Sequence, residues 1–488
     1  MNAYDLAHTR ELCWDLYLAE ENENVRLQIH RPIRKNIVLD CTEDWEAYGV
    51  NYLGIVKFGD TYRLYYRARD REFRKNYKNR FCIAESRDGK TFTRLSLSMY
   101  GYGGSGSNNI HFTENRIIDN FSVFYDENPA CPPDEKFKAL SQQIDYRPDG
   151  STDIGLLLYR SADGLHFEKA GRIDVPGAFD SYNIVFWDAA ENEYKMYIRD
   201  FHTADGADMT YAPSEAVMAS AYRDVRLTRS KDFVRWSRPE RIVFADGDIH
   251  TQLYTGMIFR YPDSRFYLGL PTRYNNRPEH PKNFRYLSDW EGDRRKYIDA
   301  GDRFGTVLND TGIMTSRDGL HFDKWNGAYM TPGPERPDNW VYEDCYLAYG
   351  FAETEADDGS GQPELSLYRP EGFYCPSGHP RIVRYTVRKD GFYSWYADAS
   401  GGTITTRPLI SGGNMLTVNF ASSALGGLRI RICGENGQPL DGYDSGILFG
   451  DSLSRPVDFD RPLSALTGQT VRLRFELTDT DLYSFQFQ

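Results

Sequence analysis

The chain has 488 residues, 40% hydrophobic and 15% aromatic, with 58 Lys and Arg against 71 Asp and Glu for a net charge of −13. That acidic balance argues against a nucleic-acid partner, since neutralising phosphates needs clustered cations. The aromatic load excludes a disordered chain, and no apolar run approaches the ~18 residues that a membrane helix needs. The N-terminus, Met1-Asn2-Ala3-Tyr4-Asp5-Leu6, has neither a basic nor an apolar leader segment, and the seven cysteines lack CxxC spacing. The expectation is reduced thiols in a cytoplasmic protein with no structural zinc.

A short motif recurs along the first four hundred residues. It reads Ser86-Arg87-Asp88-Gly89-Lys90-Thr91-Phe92, then Ser161-Ala162-Asp163-Gly164-Leu165-His166-Phe167. It returns as Ser230-Lys231-Asp232-Phe233-Val234-Arg235-Trp236, as Ser316-Arg317-Asp318-Gly319-Leu320-His321-Phe322, and more weakly as Arg388-Lys389-Asp390-Gly391. Each copy reads as a hairpin turn whose aromatic starts the return strand. The intervals of about 70–85 residues leave room for four strands per copy, which suits propeller blades better than solenoid repeats of ~20–45 residues. The expected blades cover about 37–100, 108–175, 179–245, 248–326 and 340–398, with the stretch 12–34 returning to close the ring.

The pattern changes after Ser400-Gly401-Gly402. Short alternating segments such as Leu416–Phe420, Leu428–Ile432 and Val471–Phe475 predict a second layer type. The predicted fold is therefore all-β: a five-bladed β-propeller over residues 1–399, followed by a small C-terminal β-sandwich over 400–488. Only 213–224 and 287–299 carry a helical signal.

In a propeller the innermost strands bring their ends to the axis, so polar residues just before them are the site candidates. Blade one offers Asp44 and Glu46 ahead of Tyr52–Val56, blade two Asn108 and Asn109, and blade three Asp180 ahead of Ile184–Trp187. Blade four offers Asp248 and His250, and blade five Glu343 and Asp344. Arg67 and Arg69, Arg199 with Asp200, Arg273, and Asn309 with Asp310 lie at other strand ends. Carboxylates meeting at one place suit glycoside cleavage, in which one carboxyl donates a proton and another attacks or activates water. The five repeated aspartates, in contrast, read as turn residues. The histidines show no HExxH or paired metal spacing, so no metal is expected and no local motif supports a channel calcium ion; no GxSxG nucleophile elbow is present either.

With these turns and the Asp180-Ser181-Tyr182-Asn183 segment in hand, the sequence resembles the five-bladed propeller glycoside hydrolases, the superfamily of invertases, fructanases and arabinanases. A propeller followed by a β-sandwich is the invertase layout. The C-terminal run from Gly450-Asp451 to Tyr483-Ser484-Phe485 is similar to an uncharacterised bacterial branch of that layout. The resemblance implies three acidic residues as nucleophile or base, stabiliser and general acid. Asp180 resembles the stabilising aspartate, Arg199-Asp200 an Arg-Asp pair lacking the proline that follows it, and Glu343-Asp344-Cys345 a Glu-Cys acid motif with one residue inserted. The Asn-Asp-Pro-Asn-Gly nucleophile motif is absent; Asp44 and Glu46 occupy the matching blade.

The expectation is thus a glycoside hydrolase, exo-acting on a small oligosaccharide or furanoside-like glycoside, without a cofactor. Glu46 or Asp44 would be nucleophile or base, Asp180 stabiliser and Glu343 general acid, with Asp248 its substitute. Asp44, Arg69, Asn108, Arg199, His250 and Asp344 would bind substrate. The alternatives are a glycoside phosphorylase, which needs Arg and His around the site, and a non-catalytic carbohydrate-binding protein. The expected partner is a small carbohydrate, with no nucleic acid and no membrane; a homo-oligomer is allowed by the sequence and not specified by it.

Overall fold

The computed structural model describes residues 3–6, 9–114, 118–149, 152–209, 220–278, 280–289, 293–373 and 379–488. The chain divides into two compact units: 32–259 with 267–386, and 1–31 with 260–266 and 387–488.

The larger unit is a five-bladed β-propeller. Blade one runs Gly49–Phe58, Thr61–Arg69, Arg80–Ser86 and Ile110–Phe112, in that spatial order, with Thr93–Arg94 as an additional short strand. Blade two is Ser122–Tyr125, Phe137–Tyr146, Thr152–Ser161 and Glu168–Ile173; blade three is Ile184–Asp188, Glu193–His202, Tyr222–Ser230 and Glu240–Arg241. Blade four uses Ile258–Arg260, Tyr267–Gly269, Met314–Ser316 and His321–Lys324, plus Val243–Phe244 at its outer edge. Blade five is Ala352–Glu355, Pro363–Glu371 and Arg381–Arg388, completed by Ile33–Asp40 from the N-terminal side. That last pairing is antiparallel, from Arg381 opposite Asp40 to Thr386 opposite Ile33. The ring-closing strand is therefore Ile33–Asp40, which overlaps the expected stretch 12–34 only at its end, because Arg26–Ile29 pairs with Tyr393–Ala397 in the other unit.

The repeated motif holds neighbouring blades together. In four blades the Ser hydroxyl donates to the Asp carboxylate, which accepts the backbone N–H groups two and three residues on. The carbonyls of Gly89, Gly164 and Gly319 then accept from the phenols of Tyr368, Tyr65 and Tyr197 in the adjoining blade. These glycines have φ of 68°, 74° and 78°, and a Cβ on Gly319 would lie 2.7 Å from the Tyr197 oxygen. Glycine supplies both the left-handed turn and the clearance.

Tyrosines fill the space between the inner strands. Tyr52 packs against Tyr182 and Tyr346, and Tyr254 against Tyr346 and Tyr342, with ring centroids 5.4–5.9 Å apart. Blade four also carries an outgrowth: the ladder Thr272–Asn276 with Val307–Thr311 leads to a short 3-10 helix, Pro281–Tyr286, and the helices Asp293–Asp299 and Arg303–Thr306. The helix expected over 287–299 thus appears as Asp293–Asp299. Most of the one expected over 213–224 lies outside the described residues, and Tyr222–Ser230 is a strand.

The smaller unit is one continuous eleven-stranded sheet curled around its own core, where two separate sheets were expected. Its two longest strands, Leu416–Cys433 and Thr470–Phe487, pair along their length and shift register between Asn419 and Phe420 and between Ser422 and Gly427. Bulges of this kind bend a strand sharply enough to carry pairing from one face of a core to the other. Trp395, Ile404, Leu428, Phe475 and Phe485 lie in that core. Because Tyr393–Ala397 pairs here, the boundary falls near 387 and not at 399.

Six cysteines are free thiols, at 13, 41, 82, 131, 345 and 433; Cys375 lies outside the described residues. Among the described residues no helix is long and apolar enough to cross a membrane, and no group of His, Cys, Asp and Glu could hold a metal ion.

Candidate active site

Four of the five blades have backbone in an unusual conformation in or before their inner strand. Tyr52 in blade one, Phe179 in blade three, Met257 in blade four and Glu343 before blade five all have φ between 44° and 67°. The segment 340–345 holds three such residues, Trp340, Glu343 and Cys345. Non-glycine residues held there cost about 1–3 kcal/mol each and concentrate at functional sites.

Glu343 is held by side chains of blade one. Its Oε2 accepts from Arg67 Nη2 at 3.0 Å and from the Asn51 amide, and Arg69 Nη1 stands 3.8 Å away. Its backbone N–H donates to Asn309 Oδ1 at 2.9 Å. Arg67 is fully buried, lies 4.2 Å over the Tyr52 ring, and also donates to Asn51 and to Asp119. Asp119, just before the inner strand of blade two, is thus tied to Glu343 through one guanidinium.

Asp180 faces the same region from blade three. Its Oδ1 is 3.4 Å from Arg199 Nε and has no hydrogen-bond partner among the described residues. Arg199 donates to the Leu253 and Tyr254 carbonyls and lies 4.6 Å over the Tyr254 ring. Tyr254 links the two carboxylates: burial raises its pKa well above that of an ordinary phenol, with added contributions from Tyr52, Glu343 and Asp180. Its hydroxyl accepts from Tyr342 at 2.8 Å, so both phenols stay protonated. Arg223, 3.7 Å over the Tyr274 ring, is held below the usual guanidinium range mainly by burial, with Arg199 and Arg303 adding like-charge repulsion.

Against this centre lies a polar cavity of about 560 Å³, walled by Gln252, Tyr274, Asn275, Asn309, Asp310 and Thr331 among others. Asp310 is paired bidentately with Arg273, at 2.6 and 2.8 Å. His250, exposed and beside Tyr222, is on its wall.

Of the residues proposed from sequence, the structure brings together Asp180, Arg199, Glu343, Arg69 and His250, with Arg67, Arg273, Asn309 and Asp310. It does not bring Glu46 to them. That carboxylate is completely buried between Arg94 and the Tyr66 hydroxyl, and burial raises its pKa against both partners. Asp44 is exposed on the short helical turn Asp44–Glu46. Asn108 donates to the Tyr100 carbonyl and caps Ile110 at the outer edge of blade one, so it does not head blade two. Asp248 accepts from the Thr251 hydroxyl, the His250 N–H and Lys324, which bring it down to about 2 despite burial. Asp344 turns away from Glu343 and accepts the Trp340 and Cys345 N–H groups, its pKa raised by burial against Arg369. Asp200 likewise points away from Arg199 and pairs with Arg226, as strand alternation requires.

Asn51 and Asp119 are the residues that sequence reading missed. Asn51 precedes the apolar run Tyr52–Val56 within the strand Gly49–Phe58, and Asp119 stands shortly before Phe121–Tyr125, the same signal that singled out Asp180.

No family model and no curated protein matches the sequence. Among solved structures the chain is similar to a GH32 β-fructofuranosidase of Bombyx mori, at 10% identity over 94% of each chain with a TM-score of 0.39. It is similar as well to an N-acetylgalactosamine deacetylase from F. plautii in complex with blood group B trisaccharide, at 12% identity over 75% of this chain and 96% of that one, with a TM-score of 0.43. A third similarity is to a structure of the GH130 family of mannoside phosphorylases and glycoside hydrolases, at 12% identity over 73% and 94% with a TM-score of 0.39.

Proposed function

We propose that this protein cleaves a glycosidic bond at the centre of its propeller, with Glu343 and Asp180 as the two working carboxyls. The observation that carries this reading is the convergence of Asp119, Asp180 and Glu343, from the heads of three different blades, on one buried aromatic and guanidinium-lined centre beside a polar cavity. Glycoside cleavage needs one carboxyl to protonate the leaving oxygen and another to attack or to activate water. Glu343, clasped by Arg67 and the Asn51 amide, is taken as the nucleophile or base. Asp180, with a single long contact to Arg199, suits the proton donor. In this reading Glu343 moves from the expected general acid to nucleophile or base, Asp180 moves from stabiliser to proton donor, and Glu46 and Asp44 drop out. The substrate is a small carbohydrate, bound in the cavity by Gln252, Asn309 and Asp310, with no cofactor.

The test is turnover on a panel of glycosides by the wild type, Glu343→Gln and Asp180→Asn. Each single substitution should lower kcat by about 10²–10⁴-fold on the glycoside that the wild type cleaves. Unchanged turnover in either variant overturns the assignment.

Phosphorolysis is the second reading, favoured by the closeness of Arg199, Arg223 and Arg303 around Tyr254, Tyr274 and Tyr342. A guanidinium cluster of this kind suits an attacking oxyanion. Product formation that rises with inorganic phosphate and yields a sugar 1-phosphate would select it over hydrolysis.

A further inference from the structure

We propose that the blade-four outgrowth forms a second subsite that takes an aromatic leaving group, so that the substrate is an aryl glycoside; this rests on the glycosidase reading above. A second cavity of about 390 Å³ adjoins the polar one, and the two share Arg277, Leu308 and Trp340 in their walls. The chemistry changes across that shared wall. The first cavity presents side-chain amides, a carboxylate and hydroxyls, as a sugar ring with a hydroxyl on most carbons requires. Phe284, Tyr286, Leu287, Leu308 and Trp340 form the apolar side of the second, with Arg277, His280, Asn283 and Glu335 on its polar side. A flat ring packs against that apolar side at no desolvation cost, and the polar side is left for a phenolic substituent.

The wall between the cavities is preorganised. Trp340 donates its indole N–H to the Gly333 carbonyl at 2.8 Å and its backbone N–H to Asp344 at 3.0 Å, with φ of 58°. It stands three residues before Glu343, so one strained segment sets both the aromatic wall and the carboxylate. Phe284 and Tyr286 come from the 3-10 helix Pro281–Tyr286, which the ladder Thr272–Asn276 with Val307–Thr311 holds beside blade four. A cavity of about 150 Å³ already admits benzene, so the space is ample for a phenolic ring. The bond to be cleaved would lie where the polar cavity meets the aromatic one.

The probe is 4-nitrophenol, titrated by calorimetry into the full chain. Saturable binding is expected in the wild type and in Glu343→Gln. In Tyr286→Ser and Leu287→Asp, binding should weaken by about fivefold or more. Tyr286 is 64% exposed, so Tyr286→Ser should melt with the wild type, and thermal denaturation of both variants verifies folding. Absence of saturable binding, or binding indifferent to both folded variants, overturns the subsite. If 4-nitrophenol binds with this pattern while no glycoside is turned over, the subsite stands and the glycosidase reading fails. If methyl and 4-nitrophenyl glycosides of one sugar are cleaved with equal KM, and neither variant shifts the KM of the aryl substrate, the glycosidase reading stands and the subsite falls.

Discussion

The outer turns of the blades and the heads of their inner strands occupy equivalent places in every repeat, but they behave in opposite ways. The turns at Asp88, Asp163, Asp232 and Asp318 repeat one hydrogen-bond pattern, with Ser two residues before and two backbone N–H groups after. The inner-strand heads differ in each blade: Asn51, Asp119, Asp180, Tyr254 and Glu343. Uniformity marks what the architecture needs in every blade. Departure from it marks the proposed site, where each blade contributes a different side chain. Even the weak fifth copy of the turn obeys this rule, since Asp390 has left the pattern for a buried role in the smaller unit, pairing with Arg10 at 2.9 Å and accepting from Ser484 and Tyr261.

The largest test of that contrast is catalytic. Glu343→Gln should reduce kcat by about 10³-fold, while Asp163→Asn in the outer turn should leave kcat within about twofold. Steady-state kinetics on the same glycoside checks both. Comparable losses would erase the distinction between turns and strand heads.

A structural effect of the next size is expected where the turns meet neighbouring blades. Gly319→Ala must place a Cβ 2.7 Å from the Tyr197 hydroxyl at a φ of 78°. The strain and the lost Tyr197–Gly319 hydrogen bond should together cost about 2–4 kcal/mol. Gly59→Ala, at a φ of 58° but with open space around it, should cost only about 1 kcal/mol. Urea denaturation of the two variants measures the difference, and equal losses would remove the interblade contact from the account.

Much of this was legible in sequence because the turn chemistry is local. A Ser, an Asp and a Gly within four residues determine the hairpin, and their recurrence counts the blades. The site was legible only in part. Asp180 and Glu343 stand at the strand heads to which the rule led, but Glu46 obeys the same rule and is claimed by Arg94, 48 positions along the chain. Which partner a buried carboxylate takes depends on pairing between strands, and no local pattern encodes it. The curled sheet was hidden for a related reason: the bulge after Ser422 that bends its longest strand is defined by its partner near Thr478–Thr480.

The interior of blade one supplies a pH-dependent contrast with these surface turns. His111 is fully buried among Tyr65, Phe121 and Phe167, neither ring nitrogen has a hydrogen-bond partner among the described residues, and burial lowers its pKa to about 3. The unfolded chain binds a proton below about pH 6.5 that the folded chain refuses until about pH 3, so stability falls as pH falls through that window. The slope should be up to about 1.4 kcal/mol per pH unit from this group alone. His111→Phe should flatten the dependence between pH 6 and 4, as followed by urea midpoints. A wild-type midpoint independent of pH there would show the ring to be solvated.

The smallest effect tests the uniformity of the turns themselves. Asn retains the side-chain oxygen that accepts the N–H groups of Leu320 and His321 at 2.8 Å, whereas Ala removes it. Asp318→Asn should therefore cost less than about 0.5 kcal/mol and Asp318→Ala about 1 kcal/mol. The same pair of values should recur at Asp88, Asp163 and Asp232 if one local geometry governs all four. The acid form behaves alike: backbone N–H groups hold Asp318 down at about 2 despite burial, so the stability it gives is present above about pH 4 and lost as pH falls towards 2. Exposure screens that contribution, which keeps it well below the His111 effect. A turn whose Ala variant cost several times more than the others would have a role beyond the hairpin, and would belong with the strand heads.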